Sequence, residues 1–232
     1  MSEAAEEAGG SARRRRPARD RLLGAAARRF YADGVSATGI DTITDQAGVA
    51  KKSLYNNFAS KSELVRAYLE ARHEEWLGLY RARLERARDA RGRVLAVFDA
   101  YVDHAEFEYE RGFRGCGLLN VAAELPVEDE GRALVRRYKE DVEALLAGHV
   151  AELLREHPER SEHPERPERS EHPERPERSE HPERPERSER ARATAEHLAF
   201  LLEGAMVRAG LEGGSARVRQ ARVLATDLLE TL

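Results

Sequence analysis

Apolar residues along this chain recur at intervals of three and four, the spacing that gives a helix one face to bury. Leu23, Ala26, Ala27 and Phe30 predict a helix from Asp20 to Ala32, which Gly34 stops. Ile40, Ile43 and Ala47 predict a short second helix, and Gly48 closes it because glycine takes a positive φ at no steric cost. Leu54 and Phe58 lie four apart and define another short helix, Lys51 to Phe58. Ser60, with Glu63 three residues on, forms a capping box that starts a long helix reaching about Arg88 through Tyr68, Trp76 and Tyr80.

The same period continues at Val94, Val97, Phe98, Tyr101, Val102 and Ala105, in a helix from Arg93 to about Glu110. After Gly112, Gly115 and Gly117, the stretch from Arg114 to Pro126 holds one short helix. Leu134, Val135, Tyr138, Val142, Leu145, Leu146, Val150 and Leu153 mark a long helix from Glu130 to about Arg155. Two more close the chain, one with Leu198, Leu201, Leu202, Ala205, Met206 and Ala209, the other, past Gly213 and Gly214, with Val218, Ala221, Leu224, Ala225, Leu228 and Leu229. The expected fold class is all-α.

The helix from Lys51 to Phe58 stands apart in chemistry. Opposite Leu54 and Phe58 it carries Lys51, Lys52, Ser53, Tyr55, Asn56 and Asn57, and two lysines beside two asparagines are costly to bury. Lys, Ser and Asn offer donors and acceptors that suit base edges in a major groove, and a tyrosine hydroxyl or an ammonium suits a phosphate. Two short helices joined at Gly48 and followed by a capped third read as a helix-turn-helix. The sequence GIDTITDQAGVAKKSLYNNFASKSEL, preceded by RLLGAAARRFYADGVSAT, resembles the DNA-binding domain of the TetR family of transcriptional regulators, densely so between about Arg19 and Tyr68.

The resemblance implies a helix-turn-helix domain at residues 19–66 and a larger helical ligand-binding and dimerisation domain at 67–232. It implies that Thr38 and Lys61 hold phosphates, and that a homodimer binds a double-stranded DNA operator. Ala50 stands where the family usually has a Ser or Thr, so the helix start loses about 1 kcal/mol of capping, and Lys52 stands where Gly is common. In the family the last two helices of each subunit build a four-helix bundle with the partner. That makes Leu198, Leu201, Leu202, Met206, Val218, Leu224 and Leu228 the expected dimer contacts. RGCGLLNVAAEL resembles a segment found in one branch of the family, and it names no ligand.

Charge supports the DNA reading once it is placed along the chain. The 232 residues carry a formal net charge of −4. Residues 13–66 nevertheless hold twelve Lys/Arg against five Asp/Glu, or +7, while residues 67–155 hold fourteen against eighteen, or −4. A basic first quarter is the footprint of a DNA-binding head. Ahead of it lies an expected disordered arm, residues 1–18, whose four arginines, Arg13 to Arg16, suit phosphates or a solvated tail. No apolar run approaches eighteen residues, no secretory leader is evident, and the one cysteine, Cys116, forms no intrachain disulfide. Together these suit a cytoplasmic protein with no membrane partner.

From residue 156 to about 190 the composition changes. EHPERPERS begins at Glu162, Glu171 and Glu180 after a truncated copy at Glu156, and seven of the nine prolines lie here. With nothing to bury and prolines three residues apart, the segment is expected to be a disordered insertion. His157, His163, His172 and His181 recur through it without the ligand geometry of a metal site, so no metal is expected.

Enzyme motifs are missing. His73-Glu74-Glu75 is not HExxH, no G-x-S-x-G or phosphate loop occurs, and nothing in the spacing brings His104 to Cys116, so neither catalysis nor a cofactor is expected. A helical interaction protein that binds no DNA leaves the polar helix unexplained. The expected function is a ligand-responsive DNA-binding regulator, a repressor released by a small-molecule inducer. Its cavity is expected between the long helices, from Trp76, Tyr80, Phe98, Tyr101, His104, Phe107, Leu118, Asn120 and Tyr138, which mix apolar area with polar tips. Cys116, between two glycines and after Arg114, gives the alternative of a redox or electrophile sensor in the same fold.

Overall fold

The computed structural model describes residues 3–156 and 183–232, with side chains placed for 17–156 and 185–232. Among these residues the secondary structure is helical throughout: α1 (Glu3–Asp33), α2 (Ile40–Ala47), α3 (Lys51–Asn57), α4 (Lys61–Leu84), α5 (Ala90–Ala105), α6 (Gly117–Glu124), α7 (Glu130–Glu156), α8 (Glu183–Glu212) and α9 (Ala216–Glu230). The first three, with the start of α4, form a head around Leu22, Ala25, Ala26, Phe30, Ile43, Leu54, Phe58 and Leu64, all buried. Arg19 adds its guanidinium over the Phe58 ring, 4.8 Å from the centroid.

The cap of α4 forms at Ser60, with the return bond of Glu63 made one residue earlier, at Ala59. Ser60 Oγ accepts from Glu63 N at 3.1 Å, and Glu63 Oε2 accepts from Ala59 N at 2.6 Å. From that cap α4 runs 24 residues, about 36 Å at about 1.5 Å per residue. It buries Leu64, Val65 and Tyr68 beside the head, then His73, Trp76 and Tyr80 inside the second domain. There α5 packs against α4, α7 and α9, while α7 and α8 form the most extensive helix pair.

Two segments differ from their sequence expectation. Helix α1 begins at Glu3 and carries Pro17 inside it, so residues 3–18 are helical where an irregular arm is expected: Ala, Glu and Arg favour helix even where no apolar face marks one. The side chains of Arg13 to Arg16 lie outside the described residues. Likewise α8 starts at Glu183, within the last copy of the repeat, because a proline in a helix's first turn, here Pro185, gives up an N–H that has no partner anyway. Helix α7 ends at Glu156, and the rest of the expected insertion, with His157, His163, His172 and His181, lies outside the described residues.

Candidate functional site

The exposed face of α3 is set by its neighbours. Gly48 adopts φ 61°, ψ 42° and donates to the Thr44 and Asp45 carbonyls, which ends α2, and the chain passes through Val49 and an extended Ala50 into α3. Leu54 is fully buried and Phe58 nearly so, which pins α3 to the head by one side. Its start has no side-chain cap, since Ala50 supplies no oxygen. On the other side Lys51, Lys52 and Asn56 are exposed, Tyr55 is half exposed, and Ser53 and Asn57 are intermediate. Lys51 Nζ lies 2.7 Å from Asp41 Oδ1 of α2, and this contact raises its pKa. Asn57 Nδ2 donates to the Ser53 carbonyl at 2.7 Å, which occupies that end of the amide inside α3.

Thr38, expected to hold a phosphate, stands in the turn between α1 and α2. It is buried, and its hydroxyl donates to the Gly34 carbonyl at 2.6 Å, so it ties down the turn between α1 and α2. Lys61 sits half-buried at the first turn of α4. Thr42 is exposed on α2.

The second domain holds a narrow pocket between α4, α5, the start of α6 and α7. It is lined by Arg72, His73 and Trp76 of α4, Tyr101 and His104 of α5, Cys116, Gly117 and Leu118 at the start of α6, and Tyr138, Lys139 and Val142 of α7. Six of the expected residues therefore line it: Trp76, Tyr101, His104, Cys116, Leu118 and Tyr138. The other four do not. Tyr80 turns its hydroxyl to His149 Nε2 at 2.6 Å, Phe98 is wholly buried in the core, Phe107 is largely exposed, and Asn120 Nδ2 donates to the Arg114 carbonyl at 3.1 Å. The lining residues that aromatic content alone passed over are Arg72, His73 and Lys139. Arg72 and His73 stand four and three residues before Trp76, and Lys139 one after Tyr138, so their signal was helical spacing rather than ring chemistry.

Burial pushes His104 down to about 4, with Arg72 and Lys139 adding to the effect, so its imidazole is neutral at pH 7. His73 is lowered as well, again mainly by burial. Burial also opposes the charge on Lys139, but Cys116, Tyr101 and Glu203 outweigh it and the net shift is upward, leaving an ammonium. Its Nζ stands 3.5 Å from Glu203 Oε1 and 5.5 Å from the Tyr101 ring centroid.

Head and cavity meet through α6 and the loop before it. Arg114 N donates to Tyr31 Oη at 2.6 Å, Tyr31 Oη donates to the Gly115 carbonyl at 3.1 Å, and the Arg114 guanidinium reaches the carbonyls of Tyr31 and Ala32. At the far end of α6, Glu124 accepts from the backbone N–H groups of Val35 (3.0 Å) and Ser36 (2.7 Å). Burial works to raise the Glu124 pKa, but those two N–H groups prevail and it is lowered. Gly34 makes room for this carboxylate: at φ +91°, a Cβ there would stand 2.7 Å from Glu124 Oε1.

The expected dimer contacts divide. Leu198, Leu202, Met206 and Val218 are buried within the chain itself, and Leu201 and Leu228 are intermediate; only Leu224 is exposed. Residues four apart share a face, and 198, 202 and 206 are the face α8 turns to its own domain. The apolar side left outward is Phe200, Val207 and Leu211 on α8 with Val223 and Leu224 on α9. Among the described residues no helix is long and apolar enough to cross a membrane, and no group of His, Cys, Asp and Glu is placed to hold a metal.

Residues 22–68 match the family described as bacterial regulatory proteins, tetR family. Over 111 residues the chain is 38% identical to the HTH-type transcriptional activator FasR of Mycolicibacterium smegmatis, covering 46% of this chain and 50% of that one. Over 91 residues it is 32% identical to the HTH-type transcriptional repressor KstR2 of the same organism, covering 39% and 44%. The matches thus span about half the length of these curated relatives or less. In solved structures the similarity extends further: a TetR-family transcriptional regulator from Streptomyces coelicolor superposes with a TM-score of 0.71 at 26% identity, over 92% of this chain and 95% of that one.

Proposed function

This chain belongs to the TetR family of bacterial regulatory proteins, and from that premise we propose that it is a repressor that binds a near-palindromic operator as a homodimer and leaves it when a small molecule enters the cavity. The observation that carries the DNA contact is the outward face of α3, where Lys52, Tyr55 and Asn56 stand exposed on a helix pinned from behind by Leu54 and Phe58. Lys51, Lys52, Ser53, Asn56 and Asn57 face base edges or nearby phosphates, Tyr55 a phosphate or a thymine methyl, and Lys61 a phosphate. Thr38 contributes through the turn it fixes.

A twofold dimer presents its two recognition helices to successive major grooves, about 34 Å apart along the duplex. Phe200, Val207, Leu211, Val223 and Leu224 supply the apolar face for such a pairing, on helices that the family uses for it. Release follows from the joint between domains. Helix α6 begins in the cavity wall at Gly117 and ends at Glu124, which holds the α1–α2 turn by two backbone N–H groups. A ligand that displaces the start of α6 therefore bears on the head through a rigid element eight residues long, the kind of two-state joint that regulation requires.

A gel shift tests the DNA contact. Lys52→Ala with Tyr55→Ala should lower operator affinity at least tenfold in a protein that still melts cooperatively. Unchanged affinity in that folded variant refutes the assignment.

One observation favours a second reading of the trigger. Cys116 lines the cavity beside Lys139, so an electrophile small enough to enter would meet a thiol. If Cys116→Ser answers every electrophile as the wild type does, with the same loss of DNA binding, the cysteine is only part of the wall.

A further inference from the structure

Three buried polar atoms have no hydrogen-bond partner among the described residues: Tyr68 Oη, Arg72 Nε and Trp76 Nε1. They are not scattered. Arg72 and Trp76 line the cavity, and Tyr68 Oη lies behind its floor, 2.8 Å from where a Cβ on Gly117 would stand. Tyr68 is fully buried and Trp76 is 5% exposed, so bulk water does not satisfy them. Two of the three are obligate donors, and a buried donor without an acceptor costs on the order of 1–3 kcal/mol.

The rest of the lining has the same sign. Lys139 adds an ammonium, the lining contains no Asp or Glu, and the carboxylates that answer its two cations, Glu75 for Arg72 and Glu203 for Lys139, stand outside it. The walls are flat. The His73 and Tyr138 rings stack at 3.9 Å and 8°, and Trp76 lies within 19° of the His73 plane. Leu118 and Val142 add apolar surface.

We propose that the cavity takes a small aromatic carboxylate, its ring continuing the His73, Tyr138 and Trp76 stack and its carboxylate accepting from Trp76 Nε1, Arg72 Nε and the Lys139 ammonium. This rests on the reading of the cavity as the effector site and names the chemistry of the effector. An acid is preferred over its neutral analogue because each donor gains more from a charged acceptor than from an amide oxygen, and the amide also brings N–H groups that meet no carboxylate in the lining.

Trp76 is the only tryptophan, so its fluorescence reports the cavity alone. The probes are 4-tert-butylbenzoate and 4-tert-butylbenzamide, equal in shape and different in charge, titrated into the full chain with excitation at 295 nm and repeated by calorimetry. The benzoate should bind at least tenfold tighter than the benzamide, and Lys139→Met should remove most of that difference by weakening the benzoate far more than the benzamide. If Lys139→Met does not fold, Arg72→Gln takes its place with the same expected result. Equal affinities, tighter benzamide, no binding of the benzoate, or a preference that survives both variants would each overturn the proposal. Labelled operator DNA followed in the same titration separates the two claims. A benzoate that binds preferentially without releasing DNA leaves this proposal standing and defeats the inducer reading, whereas DNA release by the benzamide at equal affinity does the reverse.

Discussion

Replacing Glu124 with Gln should loosen the joint between the two domains by an amount the structure bounds. The carboxylate accepts from Val35 N at 3.0 Å and Ser36 N at 2.7 Å, while an amide oxygen can accept from both only by turning its own NH₂ away from two donors that now face an uncharged group. Hydrogen bonds to a charged group contribute about 1.5–3 kcal/mol each when shielded, but Glu124 is exposed, so about 1–2 kcal/mol for the pair is the scale. For a protein of this size that is a fall in Tm of about 2–8 °C. The effect must also depend on pH. Because the folded pKa of Glu124 is lowered, its contribution is complete above the unfolded carboxyl value of about 4.3 and disappears as pH falls through the folded value. Melting curves of wild type and variant from pH 7 down to pH 3 should therefore differ most at neutral pH and converge in acid. A constant offset, or none, refutes the role given to these two bonds.

Gly34→Ala should be worse than Glu124→Gln, because it forces a left-handed backbone on alanine and drives its Cβ into the same carboxylate; denaturant unfolding should show a loss of about 1–3 kcal/mol, and a loss below half a kcal/mol would contradict it. The lowered pKa of His104, about 4, means the folded chain resists a proton that the unfolded chain accepts at about 6.5, so stability should fall as pH drops from 6.5 towards 4. His104→Gln should flatten that interval of the stability profile, and an unchanged slope would argue that the imidazole is solvated. Val207→Glu with Leu211→Glu should convert the protein to monomers in sedimentation and abolish operator binding, whereas a persistent dimer would place the interface elsewhere.

The periodic apolar positions made the helices of the head and body legible, because each buries one face and the capping residues mark where it begins. The boundaries at Glu3 and Glu183 were not, since no apolar period marks the turns there. Apolar residues at helical spacing also do not say which neighbour they face. Leu198, Leu202 and Met206 pack within their own domain, and the outward stripe through Phe200, Val207 and Leu211 was visible only once α8 had a side. In the cavity the rings of Trp76, Tyr101 and Tyr138 were readable as amphipathic walls, whereas nothing in the sequence marked Arg72 and Lys139 until packing placed them in the lining. The hydroxyl of Thr38 donates to the Gly34 carbonyl, a partner that no sequence pattern named.

The DNA assignment is tested most directly by selecting bound sequences from random duplex DNA with the full-length protein. The account predicts enrichment of two inverted half-sites centred about one helical turn apart, lost when Lys52 and Tyr55 are both alanine. Failure to enrich any sequence, or an enriched site that the double variant binds equally well, would contradict it.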